Sequence, residues 1–327
     1  MRHPCAGGSG IRAGRALLTL LTGVLTLTLG AKVAVAQPFL PPINLGFTSF
    51  LDGGPPAGPG FYFQQYFQYY RSTEFKDENG DEIPLLGNLD LGISLSQFIY
   101  QSDQPVLLGG KWGIDVIVPL VLVDVEPGSL PLLDDSGFGL GDVLVGPYIQ
   151  WDPIMGPDGP KFIHRFELQT TYPTGRYRDD RVLNPGSNFF TINPYWAATY
   201  FITPRWEAST RIHYLWNSEN NRPNKTLFPG ADDVQSGQAI HLNFASSYEV
   251  LPKRLHLGLN GYYVKQITDS EVDGNKVSGR EQLLGIGPGA VWHFSPDDHL
   301  WLNVYFETLA EVRPQGFRAN LRWTHHF

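Results

Sequence analysis

Only one cysteine, Cys5, stands in 327 residues, and it falls in a stretch expected to be removed on export. The chain that remains has none, which excludes a disulfide scaffold, a thiolate metal site and a cysteine nucleophile. Long apolar runs are missing too. No stretch after residue 36 stays apolar for 18 residues, so no helix is expected to cross a membrane. Basic residues are scarce: setting aside Arg2, Arg12, Arg15 and Lys32 leaves 20 Lys and Arg against 32 Asp and Glu, a formal charge of −12. A surface of that sign repels phosphates and argues against a nucleic-acid partner. None of these absences touches a transmembrane β-barrel, whose half-polar strands pass unseen through a hydropathy scan.

The opening stretch carries Arg2, Arg12 and Arg15, then an apolar run from Ala16 to Leu29, then Ala34-Val35-Ala36 before Gln37. This is the pattern of a secretory signal peptide over residues 1–36. Residues 37–58 are rich in Pro and Gly and should be irregular. They are too short for a globular plug, and two readings stay open. The segment is either a disordered linker, or it tucks into the interior of the domain C-terminal to it with Phe39, Leu40, Ile43, Leu45, Phe47 and Phe50.

What the chain does have is 36 Gly, 26 Pro and 43 aromatic residues, a composition of strands and turns. From residue 59 onward apolar and polar residues alternate with the period of two that sorts a strand into two faces. Leu255, Leu257, Leu259, Gly261 and Tyr263 alternate with Arg254, His256, Gly258, Asn260 and Tyr262. Leu300, Leu302, Val304 and Phe306 alternate with Trp301, Asn303, Tyr305 and Glu307. Twelve such strands are expected, near 60–70, 88–101, 111–123, 138–151, 161–173, 189–202, 205–216, 237–250, 254–266, 280–294, 299–309 and 316–327. Most are longer than ordinary globular strands and match a tilted crossing of a bilayer. The gaps between them alternate long and short, which a secreted β-sandwich has no reason to do and an outer-membrane barrel does. The fold expected is therefore all-β: a 12-stranded antiparallel transmembrane β-barrel over residues 59–327, with short periplasmic turns and long extracellular loops. The last strand ends on Phe327, the terminal aromatic expected to engage the outer-membrane insertion machinery. Trp112, Trp151, Trp196, Trp206, Trp216, Trp292 and Trp323 lie near strand ends, where interfacial girdles sit.

Several stretches resemble a known family when taken in order: "PPAGPGFYFQQYFQYYRS", "WGIDVIVPLVLVD", "SGFGLGDVLVGPYIQW", "TYPTGRYR", "NPGSNFFTINPYWAATYF", "GYYVKQITD", "GIGPGAVWHF" and "EVRPQGFRANLRW". Over roughly residues 55–327 the chain is similar to the outer-membrane transporters named after the meta-pathway of phenol degradation. The resemblance implies a β-barrel in the bacterial outer membrane, associated with uptake of hydrophobic or aromatic compounds. It implies no catalytic residue.

Other motifs carry less. "GFGLGD" opens a strand and not a helix, so it is no phosphate loop, and Gly139 and Gly141 suit a tight turn or close strand packing. Pro119, Pro147, Pro194 and Pro288 fall inside strands, and each predicts a bulge or an unpaired position. Asn224-Lys225-Thr226 matches a glycosylation sequon that a bacterial export signal makes accidental.

Function should reside in the interior. By phase Arg165, Glu167, Arg205, Glu207, Arg211, Glu249, Arg254, Glu281, Glu307, Arg318 and Arg322 face the lumen. They form either an ion-pair network filling a narrow barrel or a charged constriction that selects the permeant. Tyr148, Tyr195, Tyr262, Trp301 and Tyr305 add inward rings, and strand one offers Tyr62, Tyr66 and Tyr70 or the alternate set Phe61, Phe63 and Phe67. These rings either bind flat solutes or fill the barrel. His213 and His241 should meet near the outer end, and His256 and His293 near the periplasmic end. No third ligand is evident at either pair, so no metal and no cofactor is expected. A His213 base with Ser209 or Ser246 can be drawn, but such pairs arise by chance, and no enzyme activity is expected. The reading is a monomeric channel, in contact with outer-membrane lipid, for passive uptake of small hydrophobic or aromatic molecules. A structural or adhesive barrel with a closed lumen is the alternative.

Overall fold

The computed structural model describes residues 39–83, 88–125 and 137–327. The stretch assigned to export lies outside them. Among the described residues the alternating segments form one closed wall of twelve strands. These are β1 (Gly60–Lys76), β2 (Leu89–Leu107), β3 (Gly110–Val125), β4 (Val143–Gln150), β5 (Gly159–Tyr172) and β6 (Thr191–Thr203). The second half is β7 (Trp206–Asn217), β8 (Ala239–Leu251), β9 (Leu255–Gln266), β10 (Gln282–His293), β11 (Asp298–Glu311) and β12 (Pro314–His326). Each strand pairs antiparallel with the next. β12 returns to β1, with Tyr62 opposite His326 at one end and Phe75 opposite Pro314 at the other. Each of the twelve strands thus has a neighbour on both sides, the condition for a sheet to sit in hydrocarbon.

The expected strands are present, with differences of detail. β1 continues to Lys76, beyond the expected end at 70, because Arg71 to Phe75 remain paired with β12. The fourth strand is broken. Gly137–Leu140 pairs with the outer part of β3, then Gly141 and Asp142 leave the ladder before β4 begins. Leu120 faces Leu140 whereas Ile117 faces Leu144, so the register slips by one residue beside Pro119. The other three prolines interrupt the ladder on one side only. Pro147 faces Ile114, but pairing with β5 skips from Val145 to Tyr148. Pro194 faces Leu168, while pairing with β7 skips from Tyr195 to Ile192. Pro288 faces Leu259, while pairing with β11 skips from Ile286 to Gly289. A residue with no N–H has nothing to donate on that side.

The short connections lie at the periplasmic end. Leu108 and Gly109 join β2 to β3 with φ of 49° and 77°, the paired positive values of a type I′ hairpin. The long outer connections from β5 onward are organised. Asp142 accepts hydrogen bonds from the backbone of Gly175 (2.8 Å) and Ser187 (2.6 Å), gathering the loop between β5 and β6. Asp179 of that loop accepts from Lys225 Nζ at 3.1 Å and lies 3.6 Å from Arg222, both on the loop between β7 and β8. Val234–Gln235, Ser270–Val272 and Asn275–Val277 add a three-stranded patch that ties this loop to the next.

The two faces separate as the alternation requires. Leu257, Leu259, Leu302 and Phe306 are exposed on the outer wall, while Asn260, Tyr262, Asn303 and Tyr305 are buried inside. Trp112, Trp206 and Trp323 are exposed near strand ends, Trp196 is exposed at the middle of β6, and Trp301 is inward.

Leu259 lies mid-strand on the lipid face. Leu259→Arg should therefore destabilise the barrel by about 2–4 kcal/mol. Equilibrium unfolding in lipid vesicles measures this, and unchanged stability would place Leu259 off the lipid face. At the outer mouth, the hydrogen bond from Lys225 and the charge of Lys225 and Arg222 hold the Asp179 carboxyl below its usual range. A depressed folded pKa means the contact contributes fully above the unfolded value and is lost as pH falls through the folded one. Protection factors of the amides in residues 218–230, which correct for the slower intrinsic exchange in acid, should fall as pH drops below the ordinary aspartate range. Asp179→Asn should lower the same protection factors at neutral pH, and protection indifferent to both would remove Asp179 as the tie between the loops.

Candidate functional site

Residues 39–57 occupy the lumen. The segment enters beside the outer loops, where Phe39 O accepts from Ser236 Oγ (2.5 Å) and Leu40 N donates to Glu281 Oε1 (2.5 Å). It then descends along the inner face of β8 to β12. Gly46 N donates to Asn243 Oδ1 (2.8 Å), and Gly46 O accepts from Tyr305 Oη (2.9 Å) and Asn320 Nδ2 (2.5 Å). Phe50 O accepts from Trp301 Nε1 (3.2 Å), and Gly53 N donates to Thr199 Oγ1 (2.8 Å). Of the two readings open for this stretch, the inward one matches these contacts. Irregular backbone inside a barrel has no ladder, so the wall must supply its partners, and polar inward side chains do so.

Apolar anchoring accompanies the polar bonds. Leu40 and Leu45 pack with Leu215, Tyr262, Val264 and Tyr305. Phe50, fully buried, packs with Ala245, Val291 and Trp301. Below Phe50, Leu51 has φ of 58°, a left-handed conformation costly for a side chain with a Cβ. The next residue is Asp52, whose two oxygens accept from Arg211 Nε (2.7 Å) and Nη2 (2.8 Å). Both side chains are buried, at 6% exposure for Arg211 and 5% for Asp52. Removing one partner of such a pair typically costs about 3–5 kcal/mol.

The inward residues expected from phase fall into groups. Near mid-barrel Arg165 lies over the rings of Tyr148 (5.4 Å) and Tyr195 (5.7 Å), and Arg211 over Tyr195 (4.1 Å). Tyr195 also donates to the buried Glu167. Toward the outer end Glu307 accepts from Tyr70 (2.9 Å), Tyr262 (2.6 Å) and Arg318 (3.2 Å). Glu281 pairs with Arg313 at 2.5 Å. Lower down Glu207 accepts from Ser209 and Ser247, both at 2.5 Å, and Arg322 lies 3.7 Å over the ring of Trp301. Strand one turns Tyr62, Tyr66 and Tyr70 inward, leaving Phe61 and Phe67 exposed outside.

Three residues sit at the rim. Glu249 is half-buried, and its Oε1 accepts from Lys253 N (2.5 Å). Arg254 is exposed in the β8–β9 turn. Arg205 departs from its expected inward position. It lies in the β6–β7 turn, donates to Glu249 O, and sits over the outward ring of Tyr248 at 5.1 Å. Strand phase does not carry through a turn, which is why the extrapolation failed there.

His213 and His241 face each other in register and stack with ring centroids 4.0 Å apart. His256 and His293 meet edge to face at 5.5 Å, and His293 Nδ1 lies 2.8 Å from His299 Nδ1. Among the described residues no three His, Cys, Asp or Glu side chains converge to hold a metal. Ser209 bonds to Glu207 and Thr199, and Ser246 to Trp206 and the Glu207 backbone, so neither serine is set up against His213.

Sequence reasoning passed over Asp52, Asp115 and His299. Asp115 accepts from Gln97 Nε2 at 2.5 Å, deep in the wall. Its signal was present, a lone acid at an inward phase in the apolar run of β3. Asp52 belongs to no periodic segment and had no signal.

Below the Phe50–Ala57 turn the lumen opens into a cavity of about 820 Å³ at the periplasmic end. Its walls combine Tyr62, Tyr66, Tyr148 and Trp301 with Arg165, Arg211 and Arg322.

Residues 72–323 match the family described as "Putative MetA-pathway of phenol degradation". The chain belongs to this family. Its fold is also that of a solved outer-membrane channel from Pseudomonas putida F1, with a TM-score of 0.71 at 16% identity, covering 88% of this chain and all of that one. A deletion mutant of the TodX monoaromatic hydrocarbon channel aligns less well, with a TM-score of 0.44 at 10% identity over 83% of this chain and 91% of that one. The translocator domain of the autotransporter NalP from Neisseria meningitidis gives 0.47 at 10% identity over 83% and 89%. No curated protein gives a significant match. The family match begins at residue 72, C-terminal to the lumen segment.

Gly46 is a tight point of the segment, closed in by two tyrosine rings. Its φ is 77°, and a Cβ built there would stand 2.6 Å from Tyr305 and 2.9 Å from Tyr262. Gly46→Ala should loosen the segment and raise single-channel conductance in planar bilayers. Conductance equal to that of the unaltered protein would mean that the segment does not limit passage at this level.

Proposed function

We propose that this member of the family is a channel for passive uptake of small hydrophobic or aromatic compounds across the bacterial outer membrane. The observation that carries the reading is the construction of the lumen. An aromatic inner wall surrounds a short irregular segment that is tied to it by side-chain hydrogen bonds and not by a strand ladder. Apart from the Asp52–Arg211 pair these ties are single hydrogen bonds, individually weak, so the stretch before Asp52 can shift without opening the wall. Aromatic faces attract flat apolar solutes by about 0.5–1.5 kcal/mol per ring pair beyond area burial. Sites of that strength retain a solute briefly and let it go, as conduction requires. Solute enters between the outer loops, passes the rings beside the displaced segment, and leaves sideways through the wall or through the lower cavity. The protein acts as a monomer, reaches its membrane through the outer-membrane insertion machinery, and performs no chemistry on the solute. The family description, with its link to phenol degradation, agrees with aromatic cargo.

The close fit of Leu45, Phe50 and Gly46 against the wall favours a second reading, a structural or adhesive barrel that stays closed. Uptake of labelled aromatic and aliphatic solutes of similar size separates the two. Cells carrying the protein should take up the aromatic solute faster than cells lacking it. Deletion of residues 39–57 should raise uptake of both solutes and reduce the preference. If neither the intact nor the shortened barrel exceeds the background of cells without it, the uptake reading falls and the closed barrel stands.

A further inference from the structure

The lower cavity has a charge imbalance that an apolar route does not need. Five cationic side chains line it, Arg165, Arg211, Lys253, Arg254 and Arg322, against three carboxylates, Asp52, Glu249 and Asp297. Each carboxylate is already engaged. Asp52 gives both oxygens to Arg211. Glu249 holds the Lys253 backbone, and Asp297 faces His326 at 3.2 Å. Arg165 has Asp115 and Glu167 close by, neither of which lines the cavity.

Arg322 is different. It is 6% exposed, and its Nε has no hydrogen-bond partner. No carboxylate pairs with it among the described residues. Its cross-strand neighbours are Tyr66 on β1 and Trp301 on β11, and its guanidinium carbon lies 3.7 Å over the Trp301 ring and 6.0 Å from the centre of the Tyr66 ring. A buried guanidinium usually has an acid beside it, because burying an unpaired charge is costly. The contact with the Trp301 ring offsets part of that cost, and among the described residues the guanidinium has no carboxylate of its own to meet. Around it stand aromatic walls, Tyr62, Tyr66 and Tyr148, and the apolar Ile99 and Ile163.

We propose that the periplasmic cavity is a binding site for aromatic carboxylates, with Arg322 as the carboxylate anchor and the tyrosines as the ring site. The class follows from the pairing of a guanidinium that has no carboxylate partner among the described residues with flat apolar walls in one space. This deepens the uptake reading by naming an anionic aromatic cargo, and its place on a transport path rests on that reading. The binding itself does not.

Calorimetric titration of the purified full-length protein with sodium benzoate and with benzyl alcohol, the same ring without the charge, tests it. Benzoate should bind about tenfold more tightly, the discrimination expected of one good charge-assisted contact. Added salt should weaken benzoate and leave benzyl alcohol unchanged. Arg322→Met should abolish the preference, and Arg322→Lys should keep part of it. Benzoate binding no tighter than benzyl alcohol in the unaltered protein, or a preference untouched by Arg322→Met in folded barrels, would overturn the proposal. Flux through proteoliposomes separates the two readings. Benzoate bound without flux of either solute supports the site and sinks uptake. Flux of benzyl alcohol with no preference for benzoate does the reverse.

Discussion

A backbone N–H or C=O left unpaired in hydrocarbon costs several kcal/mol, and that constraint organises the whole molecule. It forces the sheet to close, so β12 must find β1. Closure in turn creates two surfaces of opposite demand. The outside meets lipid and tolerates leucine. The inside is sealed from lipid, and its polar side chains must then find partners within a narrow space. The prolines mark where the constraint is relaxed: each interrupts the ladder toward one neighbour while the ladder toward the other continues.

Inside, the segment from 39 to 57 and the wall solve each other's problem. The segment brings unpaired backbone, and the wall brings amides, phenols and an arginine with spare donors and acceptors. Asn243, Tyr305, Asn320 and Trp301 each spend a polar atom on the segment backbone. Asp52 neutralises Arg211 in the middle of the barrel, and it comes from the segment and not from the wall. Charge balance on the wall is thus completed by a piece of chain that is not part of it. The aromatic rings serve both sides, packing Leu45 and Phe50 on their edges and carrying the guanidiniums of Arg165, Arg318 and Arg322 on their faces.

The wall was legible because a period of two is written in every strand, and because loop length alternates with membrane side. The same phase placed Tyr195, Tyr262, Trp301, Tyr305 and most of the charged residues inside, and it brought His213 opposite His241. It failed at Arg205, one residue into a turn. It could assign a side but not a partner. That Glu307 would gather Tyr70, Tyr262 and Arg318 depends on strands far apart in sequence, and on a barrel radius that no local pattern encodes. Asp52 was invisible for a stronger reason. Its role comes from how an aperiodic stretch fits a cavity built by other residues.

The course of that stretch has a consequence for how the protein is made. Residues 39–57 run from the outer mouth down to the periplasmic end, where the chain turns back at Gly60 to begin β1. The strand directly after the lumen segment is the one that zips onto β12 to finish the ring. A strip lying inside a hoop is laid in before the hoop is fastened, or else fed lengthwise through a bore already crowded with tyrosines. Seating Leu45, Phe50 and Asp52 against the curling sheet while the seam is open asks for no such passage. It also delivers the negative charge that Arg211 needs before lipid encloses it. The last hydrogen bonds to form along the seam then act as a clasp, and the time at which they form decides whether the barrel is born filled or empty.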